Sequence, residues 1–162
     1  MTARWLFVVF SSTCMHVDAS TTLESWIAAN ADPGERVICK RELNGEYFFV
    51  ARAGDDDKLR LGSRVDLSAY RPETFSISVS WRLRDENDLS IVPRIIPTSI
   101  RDDYLRVGGK AYAESVQYQT VNIGRPKRLR VDVVIEKCPV RPCAEGSLRA
   151  MRYTVEVCET AL

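Results

Sequence analysis

Residues 74–84 read TFSISVSWRLR, a stretch in which apolar and polar side chains alternate without a break. A period of two is the pattern of a β-strand that turns one face to a core and the other to water. The apolar side chains on the core face are Phe75, Ile77, Val79, Trp81 and Leu83. This stretch therefore predicts a long strand of an antiparallel sheet.

Similar alternation on both sides of this stretch predicts further strands. Residues 128–137 and 149–158 repeat the pattern towards the C-terminus. Towards the N-terminus, residues 36–43 and 46–52 flank Asn44-Gly45. Asn-Gly favours a two-residue hairpin turn, because both turn positions need positive φ. We expect these two segments to form a hairpin.

The register of this hairpin predicts which side chains face the core. Pairing Leu43 with Glu46 places five apolar side chains on one face: Val37, Cys39, Leu43, Phe48 and Val50.

Two weaker strands are expected near 58–61 and 64–67. Residues 89–100 contain Pro93 and Pro97 and fit an edge strand or an ordered loop better than a central strand.

One helix is expected near the N-terminus. Thr21 and Glu24 have capping-box spacing, and an apolar face follows them at Leu23, Trp26 and Ile27, before Pro33-Gly34. A helix this short needs to pack against a sheet to persist. The whole pattern predicts a mainly β fold, an antiparallel β-sandwich of about eight or nine strands with one short N-terminal helix, and a barrel as second choice.

The first residues resemble an export signal. Arg4 precedes an apolar run, and Val17-Asp18-Ala19 predicts cleavage before Ser20. Residues 1–19 are then a signal peptide, 20–162 a single disulfide-stapled domain, and the protein secreted or periplasmic. The run is too short for a transmembrane segment. The alternatives are a strand buried on both faces at 4–10, and a lipid anchor at Cys14.

The cysteines support export. Removing residues 1–19 removes Cys14 and leaves an even number. Disulfides persist in oxidising compartments. We expect Cys39–Cys158 with Cys138–Cys143, and the second choice is Cys39–Cys138 with Cys143–Cys158. No second close cysteine pair and no histidine accompanies Cys138 and Cys143, so neither a metal site nor another cofactor is predicted.

The absence of histidine limits the chemistry that is available. The only histidine, His16, lies in the predicted signal. A mature chain without histidine or free cysteine lacks the usual triads and thiol nucleophiles, so we expect a non-catalytic protein. Acidic clusters at 55–57, 85–88 and 102–103 leave one alternative, a carboxylate-based hydrolase acting on a polysaccharide.

The densest basic patch is the candidate binding site. It consists of Arg125, Lys127, Arg128 and Arg130, within a segment (125–152) that has eight Lys or Arg against three Asp or Glu. Alternation with apolar residues places Arg128 and Arg130 on the solvent side of their strand. Arginine suits bidentate contacts with anions.

These observations predict an extracytoplasmic binding or interaction module, such as an inhibitor, adhesion or envelope protein. Its partner would be a protein, an anionic glycan or a lipid headgroup. Nucleic acid is disfavoured, because export separates the protein from it and the aromatic side chains lie mostly on predicted core faces.

Overall fold

A computed structural model describes residues 22–53, 58–68, 76–91, 98–100, 105–107, 109–121, 127–138 and 151–161. Within these ranges the chain forms one helix and nine strands. They are α1 (Leu23–Asn30), β1 (Glu35–Leu43), β2 (Glu46–Ala53), β3 (Lys58–Asp66), β4 (Ser76–Arg84), β5 (Thr98–Ile100), β6 (Leu105–Val107), β7 (Lys110–Thr120), β8 (Arg128–Cys138) and β9 (Met151–Ala161). The predicted signal at 1–19 lies outside the described residues.

The strands form two antiparallel sheets, which confirms the predicted sandwich. One sheet has the order β1-β2-β3-β7-β6 and the other the order β5-β4-β8-β9. The long strands divide into four and three, and the three-residue strands β5 and β6 extend one edge of each sheet. Seven long strands are fewer than the eight or nine expected, and the two short strands make up the difference. Strand β5 is an edge strand, as the prolines around it predict.

The two sheets enclose an apolar core. Strand β4 buries Ile77, Val79, Trp81 and Leu83 in this core, which confirms the alternation that predicts this strand. The Trp81 ring meets Phe48 of the opposite sheet edge-on, with 6.4 Å between ring centroids. Fully burying one such aromatic or aliphatic side chain contributes roughly 1.5–3 kcal/mol, so this layer of side chains holds the two sheets together.

The β1–β2 hairpin has the predicted turn and register. Asn44 and Gly45 have φ of 53° and 79°, and Leu43 pairs with Glu46. The predicted core position of Val37 is wrong, because a β-bulge between Val37 and Cys39 reverses the alternation there. Val37 packs instead against the residues beneath α1, and Ile38 packs against the main core.

Helix α1 covers the outer face of this hairpin. Its buried side chains are Leu23, Trp26 and Ile27, and the Trp26 ring lies 5.4 Å from that of Phe49. The predicted cap at Thr21 is one residue too early. Thr22 is the N-cap, and its hydroxyl accepts a hydrogen bond from the Ser25 N–H at 3.2 Å. The sheet supplies the packing that a helix of this length needs.

Strand β3 is continuous, so the prediction of two separate strands at 58–61 and 64–67 is wrong. Both of its faces are covered, and polar residues at its centre are therefore buried. Gly62 lies opposite Phe49, and a Cβ on Gly62 would collide with the Phe49 ring. Arg60 is buried beside α1, where it donates to the Asn30 carbonyl at 2.8 Å and ion-pairs with Glu35.

A disulfide joins Cys39 to Cys158, with 5.8 Å between the Cα atoms, and this confirms the preferred pairing. It connects the edge strand β1 of one sheet to the edge strand β9 of the other. Cys138 is also disulfide-bonded. Its predicted partner Cys143 lies outside the described residues, as does Cys14, so the second pairing stays a prediction.

Candidate functional site

The predicted basic site lies at the start of β8, on the outer face of the four-stranded sheet. Arg128 and Arg130 are exposed, whereas Leu129 between them is buried in the core. Lys127 is exposed directly before the strand. Arg125 lies outside the described residues. The alternation of β8 therefore puts both strand arginines on the solvent side, as predicted.

Acidic residues neutralise part of this site. The Arg128 Nη1 atom lies 3.3 Å from Glu159 Oε1 on the neighbouring strand β9. Glu86, in the turn after β4, accepts hydrogen bonds from the backbone N–H groups of Lys127 and Arg128 at 3.1 and 3.3 Å. Glu159 thus partly neutralises the Arg128 charge. This exposed ion pair contributes about 0–1 kcal/mol to stability.

Arg84 of β4 extends the site across the sheet. It lies directly opposite Arg130 in the β4–β8 register. Its guanidinium pairs with Asp88 at 2.6 Å and also with Asp132. Two carboxylates therefore hold this arginine, and little of its charge remains for a partner.

Three exposed cations of this surface, Arg82, Arg130 and Lys127, form no ion pair with any residue that the structure describes. Arg82 and Arg130 are diagonal neighbours on adjacent strands, which corresponds to roughly 7–8 Å between their Cα atoms. Two long side chains that start this close together can both reach one anionic group or two successive ones.

A second polar group was not predicted as a site. Glu46 and Lys137 are both buried, and the Lys137 Nζ atom lies 2.6 Å from Glu46 Oε1. The Tyr153 hydroxyl lies 2.6 and 2.7 Å from the two oxygens of Glu46. We call these three residues the Glu46–Lys137 cluster. It ties the first sheet, through β2, to the second sheet, through β8 and β9.

This cluster borders a cavity of about 390 Å³ at one end of the sandwich. The remaining walls are Leu43, Asn44, Asp66 and Met151. The sequence does carry a signal for Lys137, because it continues the core-facing series of Leu129, Val131, Val133 and Ile135. A lysine at a core position needs a buried partner, but the identity of that partner depends on how the two sheets pair.

The acids at 85–88 already have partners in this chain: Asp85 in its own turn, Glu86 at the start of β8 and Asp88 at Arg84. Asp85 accepts from the Asn87 and Leu89 N–H groups, both at 2.9 Å. Glu86 and Asp88 have the partners described above. The acidic clusters at 55–57 and 102–103 lie outside the described residues. Among the residues that the structure places, no three His, Cys, Asp or Glu side chains are grouped so that they could hold a metal ion.

Two titratable groups near α1 have shifted pKa values. The hydrogen bond from the Lys40 ammonium, at 2.6 Å, lowers the pKa of exposed Glu24. Burial beneath the helix raises the pKa of Tyr47, and the nearby Glu42 carboxylate adds to this effect. Neither group belongs to the basic surface or to the Glu46–Lys137 cluster.

Comparison with protein-family models, curated proteins and solved structures gave no match. Within the described ranges, no helix has the length and apolar character needed to cross a membrane.

Proposed function

We propose that this protein is an extracytoplasmic, non-catalytic binding module that contacts an anionic partner through the outer face of its four-stranded sheet. The observation that carries the proposal is the pair of exposed arginines, Arg82 and Arg130, on adjacent strands. A protein with a formal net charge of +1 has no general attraction for anions. Any such attraction must come from a local surface of this kind.

The rigidity of the strands supports this role. Arg82 and Arg130 alternate with the buried side chains Trp81, Leu83 and Leu129. Their backbone positions are therefore fixed by the core, and a partner does not have to order a loop in order to bind them. Less conformational entropy is then lost when the complex forms.

The disulfide between β1 and β9 supports an extracytoplasmic setting, because such bonds persist where the environment is oxidising. The predicted signal at 1–19 supports it independently. Arginine contacts sulfate, phosphate and carboxylate groups through paired N–H donors. A sulfated or phosphorylated glycan, a lipid headgroup or an acidic protein surface would each present suitable groups.

The test is a titration of the protein with heparin, a sulfated glycan, at low and high salt. Binding should weaken strongly with salt, because the screening length falls from ~10 Å at 0.1 M to ~3 Å at 1 M. Replacing both free arginines (Arg82→Ser with Arg130→Ser) should weaken low-salt binding about tenfold or more, since each charge-assisted contact contributes roughly 1.5 kcal/mol.

The matched control is Arg36→Ser with Arg41→Ser, which removes two exposed arginines from β1 on the other sheet. It lowers the net charge equally and should leave most of the affinity. An equal loss in both double variants would show that heparin responds only to total charge. That result would reject the proposed site.

A further inference from the structure

The cavity beside the Glu46–Lys137 cluster has room for more than water. Its volume of about 390 Å³ is within the range of ligand pockets and far above the ~30 Å³ occupied by one water molecule. Leu43 and Met151 provide apolar wall, and Met151 is 54% exposed, so the cavity is open to solvent on that side.

Within the part of the chain that the structure describes, the cluster leaves one donor unused. Lys137 carries three N–H groups. It donates one to Glu46 Oε1 at 2.6 Å and one to the Asp66 carbonyl at 2.9 Å. The third has no acceptor among the described residues, and the ammonium lies 5.3 Å from the centroid of the Tyr153 ring.

The same cluster leaves one acceptor only partly used. Glu46 Oε1 accepts from Lys137 and from the Asp66 N–H at 3.2 Å. Among the described residues, Oε2 has only the Tyr153 hydroxyl as a partner, and the single proton of that hydroxyl is shared with Oε1. A spare donor and a spare acceptor therefore lie side by side at the wall of the cavity.

We propose that this cavity binds a small neutral molecule that carries a hydroxyl or primary amide group on an apolar body. Such a group accepts from Lys137 and donates to Glu46 at the same time. The two charges of the cluster already neutralise each other, so an additional charged group would be buried without a counter-ion. The apolar body lies against Leu43 and Met151.

The test uses the full-length chain labelled with ¹³C at the methionine methyl groups. The chain has three methionines, and Met151 is assigned with a Met151→Leu variant. Cyclohexanol and cyclohexanecarboxamide should shift the Met151 methyl signal in a saturable way. Cyclohexyl methyl ether, which accepts but cannot donate, should bind about tenfold more weakly, the effect expected for one lost hydrogen bond. Cyclohexanecarboxylate and cyclohexylammonium should be weaker still.

Replacing the buried pair (Lys137→Met with Glu46→Gln) should abolish the preference for cyclohexanol over its ether. The control is Lys40→Met with Glu24→Gln, which removes an exposed pair of the same composition and the same 2.6 Å separation. It should bind like the wild type. Equal binding of alcohol and ether to the wild-type protein, or no saturable shift up to the solubility limit, would overturn the proposal without any variant having to fold.

Discussion

Removing the Cys39–Cys158 disulfide should cost a large part of the stability of the protein. The bond spans 119 residues. In the chain-entropy model, closing a loop of this length restricts the unfolded chain by about 4.9 kcal/mol at 25 °C. A domain of this kind has only about 5–15 kcal/mol in total. The double variant Cys39→Ala with Cys158→Ala should therefore be close to unfolding at ambient temperature.

The assay is equilibrium unfolding in urea, followed by tryptophan fluorescence. With a slope of about 1–3 kcal/mol per molar urea, a loss of about 4.9 kcal/mol should lower the midpoint by roughly 1.6–4.9 M. Cys138 keeps its own disulfide in this variant, so adding a reductant to the wild type should have an effect at least as large. A double variant within about 1 kcal/mol of the wild type would refute the reasoning, because the bond would then restrict an already compact unfolded chain.

Three further predictions concern packing and charge. Gly62→Ala should destabilise the fold by roughly 1–3 kcal/mol in urea unfolding, because the added methyl group collides with Phe49; an unchanged midpoint would show that the ring moves aside freely. Lys137→Met alone should lower the free energy of unfolding by about 3–5 kcal/mol, because it leaves the Glu46 carboxylate buried without its counter-ion. Adding Glu46→Gln to this variant should recover much of the lost stability. Equal losses in the single and the double variant would contradict this prediction. Burial raises the pKa of Tyr47 above its ordinary value of 10.0. The contribution of this shift to stability is therefore complete below about pH 10 and is lost as the pH rises through the folded-state pKa. Tyr47→Phe should flatten this alkaline decline in a pH series of unfolding curves, and an unchanged decline would rule the residue out as its source.

The alternating strands could be predicted because their sequence and their environment share the same period. In β4 and β8, one face packs in the core and the other meets water. The Asn44-Gly45 turn then fixed the register of the first hairpin through its own backbone requirement. Local rules were sufficient wherever one strand face is buried and the other exposed.

Strand β3 shows where these rules stop. Gly62 falls between the two strands predicted at 58–61 and 64–67, and the charge of Arg60 is typical of a solvent-facing side, yet both residues are buried within one continuous strand. Their burial depends on α1 and on Phe49, which approach from other parts of the chain. The predicted core position of Val37 fails for a similar reason, because the hydrophobic pattern of a short strand does not indicate a β-bulge.

The candidate sites could likewise be predicted only where local alternation decides the position of a side chain. The sequence indicated which side of β8 Arg128 and Arg130 occupy, because Leu129 lies between them. It did not indicate that Glu159 pairs with Arg128 while Arg130 stays free of ion pairs within the described residues. Nor did it indicate the meeting of Glu46 with Lys137, which are separated by 91 residues and joined only when the sheets pack together.

The most direct test of the account as a whole is the intact mass of the protein isolated from its native source without reductant. An exported, disulfide-stapled module should give the mass of a chain that begins at Ser20 and is four hydrogen atoms lighter than its fully reduced form. The same sample should gain those hydrogens after reduction. A chain that still contains residues 1–19, with its cysteines as free thiols, would contradict both the export and the disulfide framework on which the proposed function rests.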